Sequence, residues 1–107
     1  MNEKSTIELL EKLEKEIKQI SSQDKESLEK IKQQIMEVLD ELIKLNNLII
    51  AETKNKDVKD KVSWFNYSIQ ELYKEHVKKD FNIIGIKLLI LLLKDIVKRT
   101  HYLDRKS

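Results

Sequence analysis

Apolar residues recur every three or four positions along most of this chain, which is the spacing of one helix face. The first such stripe predicts a short helix over about residues 5–20, and Ser5 followed three residues later by Glu8 matches a capping box at its start. The second stripe is unbroken and predicts a long helix over about residues 24–52. Its members are Leu28, Ile31, Ile35, Val38, Leu42, Leu45 and Ile49.

The two stripes differ in phase by four residues, and the polar insert at positions 21–24 accounts for the slip. Within one continuous coiled coil such an insert would be a stutter. Serine and aspartate also cap helices well, so we favour a tight turn that ends the first helix and starts the second.

Two further helices are predicted after a polar interruption at residues 52–56. Asp57 is the expected cap of a third helix, which spans about residues 57–78. Either Asp80 or Asn82 is the expected cap of a fourth helix, which spans about residues 82–103.

The most apolar stretch, FNIIGIKLLILLLKDIV at residues 81–97, lies in the fourth helix, where Lys87, Lys94 and Lys98 share one narrow line. A bilayer span needs about twenty apolar residues, and two of these lysines interrupt the run, so we do not expect it to be transmembrane. Adsorption to a membrane surface is also disfavoured, because interfacial helices have a broad charged face. The run therefore predicts the most buried helix of a bundle.

Composition supports a helical fold. The 107 residues include no proline, one glycine and no cysteine, which excludes a turn-rich β architecture and a disulfide framework. We predict one domain over residues 1–107, an all-α antiparallel four-helix bundle with a short first helix and no β-sheet. The lack of cysteine, and a start (MNEKSTIELL) without the apolar core of a signal peptide, lead us to expect a cytoplasmic protein.

Charge is distributed unevenly between the two halves of the chain. Residues 1–52 carry twelve acidic and eight basic side chains, a net charge of −4, whereas residues 53–107 carry seven and thirteen, a net charge of +6. Acidic helices packed beside basic ones are the simpler explanation. A basic surface that meets a phosphate-bearing or acidic partner is the alternative.

No residue pattern typical of catalysis or cofactor binding occurs. The sequence contains no Ser-His-Asp order, glycine-rich phosphate loop or HExxH motif. The two histidines, His76 and His101, lie on different predicted helices, and a zinc site would also need Glu75 or Asp104. We therefore expect a protein without enzymatic activity, cofactor or metal.

Two groups of residues are candidates for partner binding. Phe65 fits the core stripe of the third helix, and its neighbours Trp64 and Tyr67 are either edge packing or anchors for a protein partner. The second group is the basic end of the fourth helix, whose contact with nucleic acid is disfavoured because no helix-turn-helix spacing precedes it. The candidates are Trp64, Tyr67, Tyr73, Lys98, Arg99, His101, Tyr102, Arg105 and Lys106.

Asn66-Tyr67 followed by Tyr73, and Tyr102 in a polar tail, are similar to features of the immunity proteins for pediocin-like bacteriocins. That resemblance implies a cytoplasmic four-helix bundle that binds, from inside the cell, the membrane sugar-transport receptor engaged by the bacteriocin. It further implies that the C-terminal half discriminates between bacteriocins. The residues it assigns to binding are Tyr67, Tyr73, Arg99, His101, Tyr102 and Arg105.

Two other functions stay open. One is an oligomeric adaptor or inhibitor of phage, plasmid or toxin–antitoxin type, and the other is nucleic-acid binding. The second helix carries more apolar surface than one neighbour covers, since Met36, Leu39, Ile43 and Ile50 flank its stripe, and this predicts a homodimer. We also expect that deleting residues 99–107 removes the activity but leaves the fold largely intact, because few apolar residues are lost.

Overall fold

The computed structural model describes residues 1–21, 23–79 and 82–106. These residues form four α-helices, with no strand among them: α1 (Glu3–Gln19), α2 (Lys25–Glu52), α3 (Lys56–Tyr73) and α4 (Ile83–Lys106). A π-helical turn, Lys74–Lys78, continues α3. The predicted all-α fold with a short first helix is confirmed.

Asparagine side chains cap two of the helices for which we predicted other capping residues. The Asn2 side-chain oxygen accepts from the Ser5 backbone N–H at 3.0 Å, so the capping box predicted at Ser5 is wrong. The Asn55 oxygen accepts from the N–H groups of Asp57 and Val58, so Asp57 is not the cap of α3. In both cases an asparagine lies upstream of the residue we chose, so the helix starts earlier and the asparagine caps the unpaired N–H groups of that earlier first turn.

The insert between α1 and α2 is a turn, as predicted. Asp24 accepts from the Ser27 backbone N–H at 3.1 Å and from the Ser27 hydroxyl at 2.8 Å. The hydrogen bond from the Ser27 side chain, followed by that from its backbone, holds the pKa of the Asp24 carboxyl below its ordinary value. The carboxylate thus caps α2 in its charged form, which the positive end of a helix favours.

The fourth helix starts as predicted but ends later. Asn82 caps it, because its side-chain oxygen accepts from the Gly85 N–H at 2.7 Å; the alternative cap, Asp80, lies outside the described residues. The helix continues to Lys106, three residues beyond the predicted end at 103. The polar tail after the fourth helix is therefore helical through Lys106.

The helices form an antiparallel bundle in which α1 packs on α2 and α4, and α3 packs on α2 and α4. Two ion pairs fix the direction of α1 against α4: Glu3 with Arg105 at 3.6 Å and Glu14 with Lys94 at 3.5 Å. The first helix of the acidic half of the chain thus packs against the last helix of the basic half.

Two hydrophobic clusters make up the core. The main cluster draws on all four helices, and the second consists of Ile49, Val58, Val62 and Leu103. Between the two clusters, along each of three helices, lies a polar residue: Asn46 on α2, Asn66 on α3 and Thr100 on α4. We call these three residues the polar level.

Hydrogen bonds join the polar level only in part. Asn46 is fully buried and donates to the Asn66 side-chain oxygen at 2.7 Å, and Asn66 donates to Asn47 at 3.0 Å. The buried side-chain oxygens of Asn46 and Thr100 have no hydrogen-bond partner within the described residues. Such groups normally find partners, so this level is the least favourable part of the interior.

The described part of the apolar run, residues 82–97, is largely core, with an exception that the sequence did not reveal. Ile86, Ile90 and Leu93 are fully buried, whereas Ile84, Leu88 and Leu91 are exposed. No helix within residues 1–21, 23–79 and 82–106 is long and apolar enough to cross a membrane. The three lysines do not all mark the solvent face either, since Lys94 is only 21% exposed beside Glu14 of α1.

The long stripe of α2 is covered within one chain. Leu28 and Ile31, the first two members of that stripe, lie buried in the main cluster. Three helices share the apolar surface of α2, rather than the single neighbour that the sequence argument allowed. The apolar surface of α2 is therefore no longer an argument for a second chain, and the homodimer stays a prediction.

Candidate functional site

A cleft of about 490 Å³ opens between α3 and α4 at the end of the bundle where α4 terminates. We call it the α3–α4 cleft. It brings together residues from both groups of candidates. Its lining consists of Asp60, Lys61, Trp64, Phe65, Arg99, Tyr102 and Leu103.

The helical period explains why these residues meet. Positions 61, 64 and 65 of α3, like positions 99, 102 and 103 of α4, are three to four residues apart and share a helix side. Leu103 is buried in the second hydrophobic cluster, and Phe65 packs against that cluster from its edge. The floor of the cleft is therefore apolar and fixed by the core.

Exposed aromatic rings form the walls. Trp64 and Tyr102 are 63% and 53% exposed, so neither uses most of its surface for packing within the bundle. The Trp64 ring stacks on the ring of Tyr67, with centroids 5.6 Å apart and planes inclined by 26°. This contact extends the aromatic surface from the rim of the cleft outward along α3.

Charged groups surround the aromatic walls. Arg99 contacts Asp95 through Nε at 2.9 Å. Lys106 places Nζ 5.2 Å from the centroid of the Tyr102 ring, a cation–π distance. Lys61 pairs with Asp57 at 3.0 Å. An apolar floor inside a charged rim is the usual anatomy of a protein interface.

The other candidate residues lie away from the cleft. Tyr73 is half-buried and packs against the main hydrophobic cluster. Arg105 pairs with Glu3, and Lys98 shares a shallow depression with glutamates of α1. His101 is half-buried, and its Nε2 has no hydrogen-bond partner within the described residues. The basic end of α4 is thus divided between two faces and does not form one basic surface.

Four lining residues were not among the sequence candidates: Asp60, Lys61, Phe65 and Leu103. Phe65 was assigned to the core, and it belongs there as well as to the cleft floor. Lys61 was detectable as the position three residues before Trp64, on the same side of the helix. Leu103 was placed in a polar tail, so nothing in the sequence analysis connected it with α3.

Potential metal ligands do not converge among the residues that the structure describes. Within the described parts of the chain no three His, Asp or Glu side chains lie close enough together to hold a metal ion. His76 lies in the π-helical turn beside Gly85, whereas His101 lies near the end of α4. The α3–α4 cleft is therefore the candidate functional site.

Comparison with protein-family models, with curated proteins and with solved structures found no match to this chain.

Proposed function

We propose that this chain is a non-enzymatic protein-binding helical bundle whose partner binds at the α3–α4 cleft. The observation that carries this proposal is the meeting of Trp64, Tyr102 and Arg99 in one cleft with an apolar floor. Tryptophan, tyrosine and arginine are the residue types that most often concentrate binding energy at protein interfaces.

Exposure and rigidity support the same proposal. An exposed tryptophan that stacks on a tyrosine loses little conformational freedom when a partner covers it, so less of the binding free energy is spent on ordering. The cleft has room for one or two apolar side chains of a partner. Lys61 and Arg99 at its rim can form ion pairs with a carboxylate of the partner. A nucleic acid would instead need one continuous basic surface.

Immunity to a pediocin-like bacteriocin is the specific role that we propose within this class, with a membrane sugar-transport receptor bound from the cytoplasmic side as partner. Its support is the resemblance at Tyr67 and Tyr102, two residues that lie beside and within the cleft. An adaptor or inhibitor of phage, plasmid or toxin–antitoxin type would use the same cleft, and the assays below separate the two.

A protection assay tests the specific role. The chain is expressed in cells sensitive to pediocin-like bacteriocins, which are then challenged with a panel of these peptides. We expect protection against at least one peptide, and its loss in the double variant Trp64→Ala, Tyr102→Ala. The control is Leu48→Ala, because Leu48 is 52% exposed on α2 and is not part of the cleft lining. Absence of protection by the folded wild-type chain would refute the immunity role.

Site-specific crosslinking tests the broader class. A photo-crosslinking amino acid replaces Tyr67 in one variant and Leu48 in another, and both are irradiated in cells. A discrete protein adduct at position 67 that is absent at position 48 is the expected result. If position 67 gives no adduct, or both positions give the same adducts, binding at the cleft is wrong whatever the protection assay shows.

A further inference from the structure

A second surface of α4 remains uncovered, at the opposite end of the helix from the cleft. Ile84, Leu88 and Leu91 are spaced four and three residues apart, so they point to the same side. They are 80%, 43% and 53% exposed. We call these three residues the α4 ridge. Large side chains this exposed are ordinary when scattered, but three in a line on one helix form a patch that requires an explanation.

Among the described residues, the ridge has no counterpart in the acidic half of the chain. Within the described residues, the large exposed apolar side chains outside α3 and α4 are Met1 and Leu48. The acidic half of the chain carries a net charge of −4 against +6 for the other half. The ridge therefore lies in the half of the chain that carries a net charge of +6, and within the described residues the acidic half has no comparable line of exposed apolar side chains.

Three exposed lysines lie at the end of the molecule where the ridge starts. They are Lys87 on α4 itself and Lys78 and Lys79 at the end of the π-helical turn. Among the ion pairs of the described residues, Lys79 pairs with Glu75 at 4.0 Å. The π-helical turn, which carries Lys78 and is followed by Lys79, packs on the first turn of α4, since a Cβ built at Gly85 would lie 3.0 Å from the His76 Cβ. Apolar side chains and amino groups are thus presented together.

We propose that the α4 ridge inserts into the interfacial layer of an anionic lipid bilayer, with its lysines on the lipid headgroups. Apolar side chains beneath a basic rim are what an interfacial helix presents to such a surface. An isolated α4 lacks the broad charged face of such helices. In the bundle, however, α1, α2 and α3 cover the remaining sides of α4, so the outward residues alone meet the lipid.

The size, charge and shape of the ridge disfavour a second copy of this chain or a partner helix as its binding partner. A stable dimer buries about 800 Å² on each partner, more than three partly exposed side chains provide, and pairing two ridges would bring two halves of charge +6 together. A partner helix normally lies in an apolar groove, whereas Ile84, with 80% of its surface exposed, projects outward as a ridge.

Vesicle sedimentation tests the proposal, which is independent of the protein partner proposed above. The probes are vesicles of equal parts phosphatidylglycerol and phosphatidylcholine, and vesicles of phosphatidylcholine alone. We expect binding to the anionic vesicles that weakens with salt, and a roughly tenfold loss in the double variant Ile84→Ser, Leu88→Ser. Leu48→Ser is the matched control, because it removes an apolar side chain of similar exposure from the acidic half of the chain.

A fluorescence measurement locates the insertion. Because the chain has no cysteine, Ile84→Cys and Leu48→Cys each create a unique site for an environment-sensitive dye. Anionic vesicles should shift the emission of the dye at position 84 to the blue and leave the dye at position 48 unchanged.

Three results would overturn the proposal. They are no binding of the wild-type chain to anionic vesicles at low salt, equal binding by the serine double variant, and equal shifts at positions 84 and 48. A dimer in sedimentation equilibrium that the serine double variant dissociates, without vesicle binding, would assign the ridge to self-association instead. Crosslinking at position 67 should be unchanged in the ridge variant, so failure here is distinguishable from failure of the protein-binding proposal.

Discussion

Gly85 lies where the π-helical turn approaches α4 most closely. A Cβ at this position would lie 3.0 Å from the Cβ of His76 and 3.3 Å from its carbonyl oxygen. One of these neighbours is backbone, so it cannot rotate away as the end of a flexible side chain would. The only glycine of the chain thus allows two helical segments to pack tightly at the N-terminal end of α4.

Gly85→Ala should lower the free energy of unfolding by about 1 kcal/mol. Overpacking costs roughly 1–3 kcal/mol, and it opposes a gain in helix propensity of at most about 1 kcal/mol. Urea denaturation followed by circular dichroism measures the difference. In a His76→Gly background the same substitution should cost less, because the nearest atom is gone. An alanine that is stabilising in both backgrounds would show that the contact carries no strain.

Asn66 is the acceptor for the fully buried amide of Asn46. Asn66→Ala should therefore destabilise the bundle by about 1–3 kcal/mol, since a buried donor loses its partner. Adding Asn46→Leu should restore most of that loss, because it removes the unsatisfied groups altogether. The measurement is the urea midpoint of the wild type, both single variants and the double variant. If Asn66→Ala keeps the wild-type midpoint, the hydrogen bond contributes little.

Residue-scale prediction from sequence was least successful at the caps. Asn2 and Ser5 are both good capping residues, as are Asn55 and Asp57, and only the positions of the neighbouring helices decide which one starts the element. In α1 the earlier start places Thr6 inside the helix, where it is buried. The burial of Thr6 depends on residues distant in sequence. The local residue pattern therefore cannot predict which residue caps α1.

At the scale of elements, the last two turns of α4 are structural as well as exposed. Thr100 is fully buried and Leu103 is 8% exposed, against the second cluster. The expectation that residues 99–107 can be deleted without damage to the fold is therefore unsupported, because Leu103 was counted as part of a polar tail.

Two truncations make this testable. A chain that ends at Lys98 should lose at least about 2–5 kcal/mol of stability, the cost of removing one buried leucine. A chain that ends at Asp104 keeps Leu103 and should unfold within a few degrees of the wild type. Thermal unfolding monitored at 222 nm compares the two. Equal midpoints for the two truncations would mean that Leu103 contributes nothing to the core.

The helices themselves were predictable because their apolar stripes repeat with the helical period over many turns. Which side of α4 faces solvent was not predictable in the same way. Its apolar residues occupy more than one side, so Ile84 and Ile86 look alike in sequence although one is exposed and the other is buried. Only the positions of α1 and α3 on either side of α4 distinguish them.

For the whole molecule, the charge asymmetry corresponds to contacts between the halves. Glu14 and Lys94 join α1 to α4, and their side chains are only 25% and 21% exposed. The ion pairs between α1 and α4 use few of the charged side chains of the two halves. This arrangement is therefore compatible with both explanations of the asymmetry, which are mutual attraction of the helices and a basic outer surface.

Reversing this pair should show its contribution. Glu14→Lys and Lys94→Glu should each destabilise the bundle, and the double reversal should recover about 0.5–1 kcal/mol relative to the sum of the single effects. The control is the corresponding reversal of Lys12 and Glu16 within α1, which are 67% and 41% exposed at 3.9 Å. Equal coupling in both cycles, measured by urea denaturation at low salt, would argue against a special role for the interhelical pair.

The cleft was predictable only in part at this scale. Trp64, Arg99 and Tyr102 were identified by residue type, but that they line one cleft depends on the antiparallel alignment of α3 with α4. No motif in the sequence fixes that alignment of α3 with α4. Arg105 and Lys98 were assigned to the same surface because they are close in sequence, and a helix turns successive residues to different sides.

The polar level has a consequence for how the bundle moves. A poorly satisfied layer between two apolar clusters lowers the free energy of opening one of them without the other, which produces separate cooperative units in amide hydrogen exchange. The smaller unit contains Val58, Val62 and Leu103, the same end that holds the cleft. A ligand that binds only the closed form would slow exchange there in proportion to its concentration over its dissociation constant. Occupancy of the cleft would then be readable as protection of backbone amides at one end of the molecule while the main cluster stays unchanged.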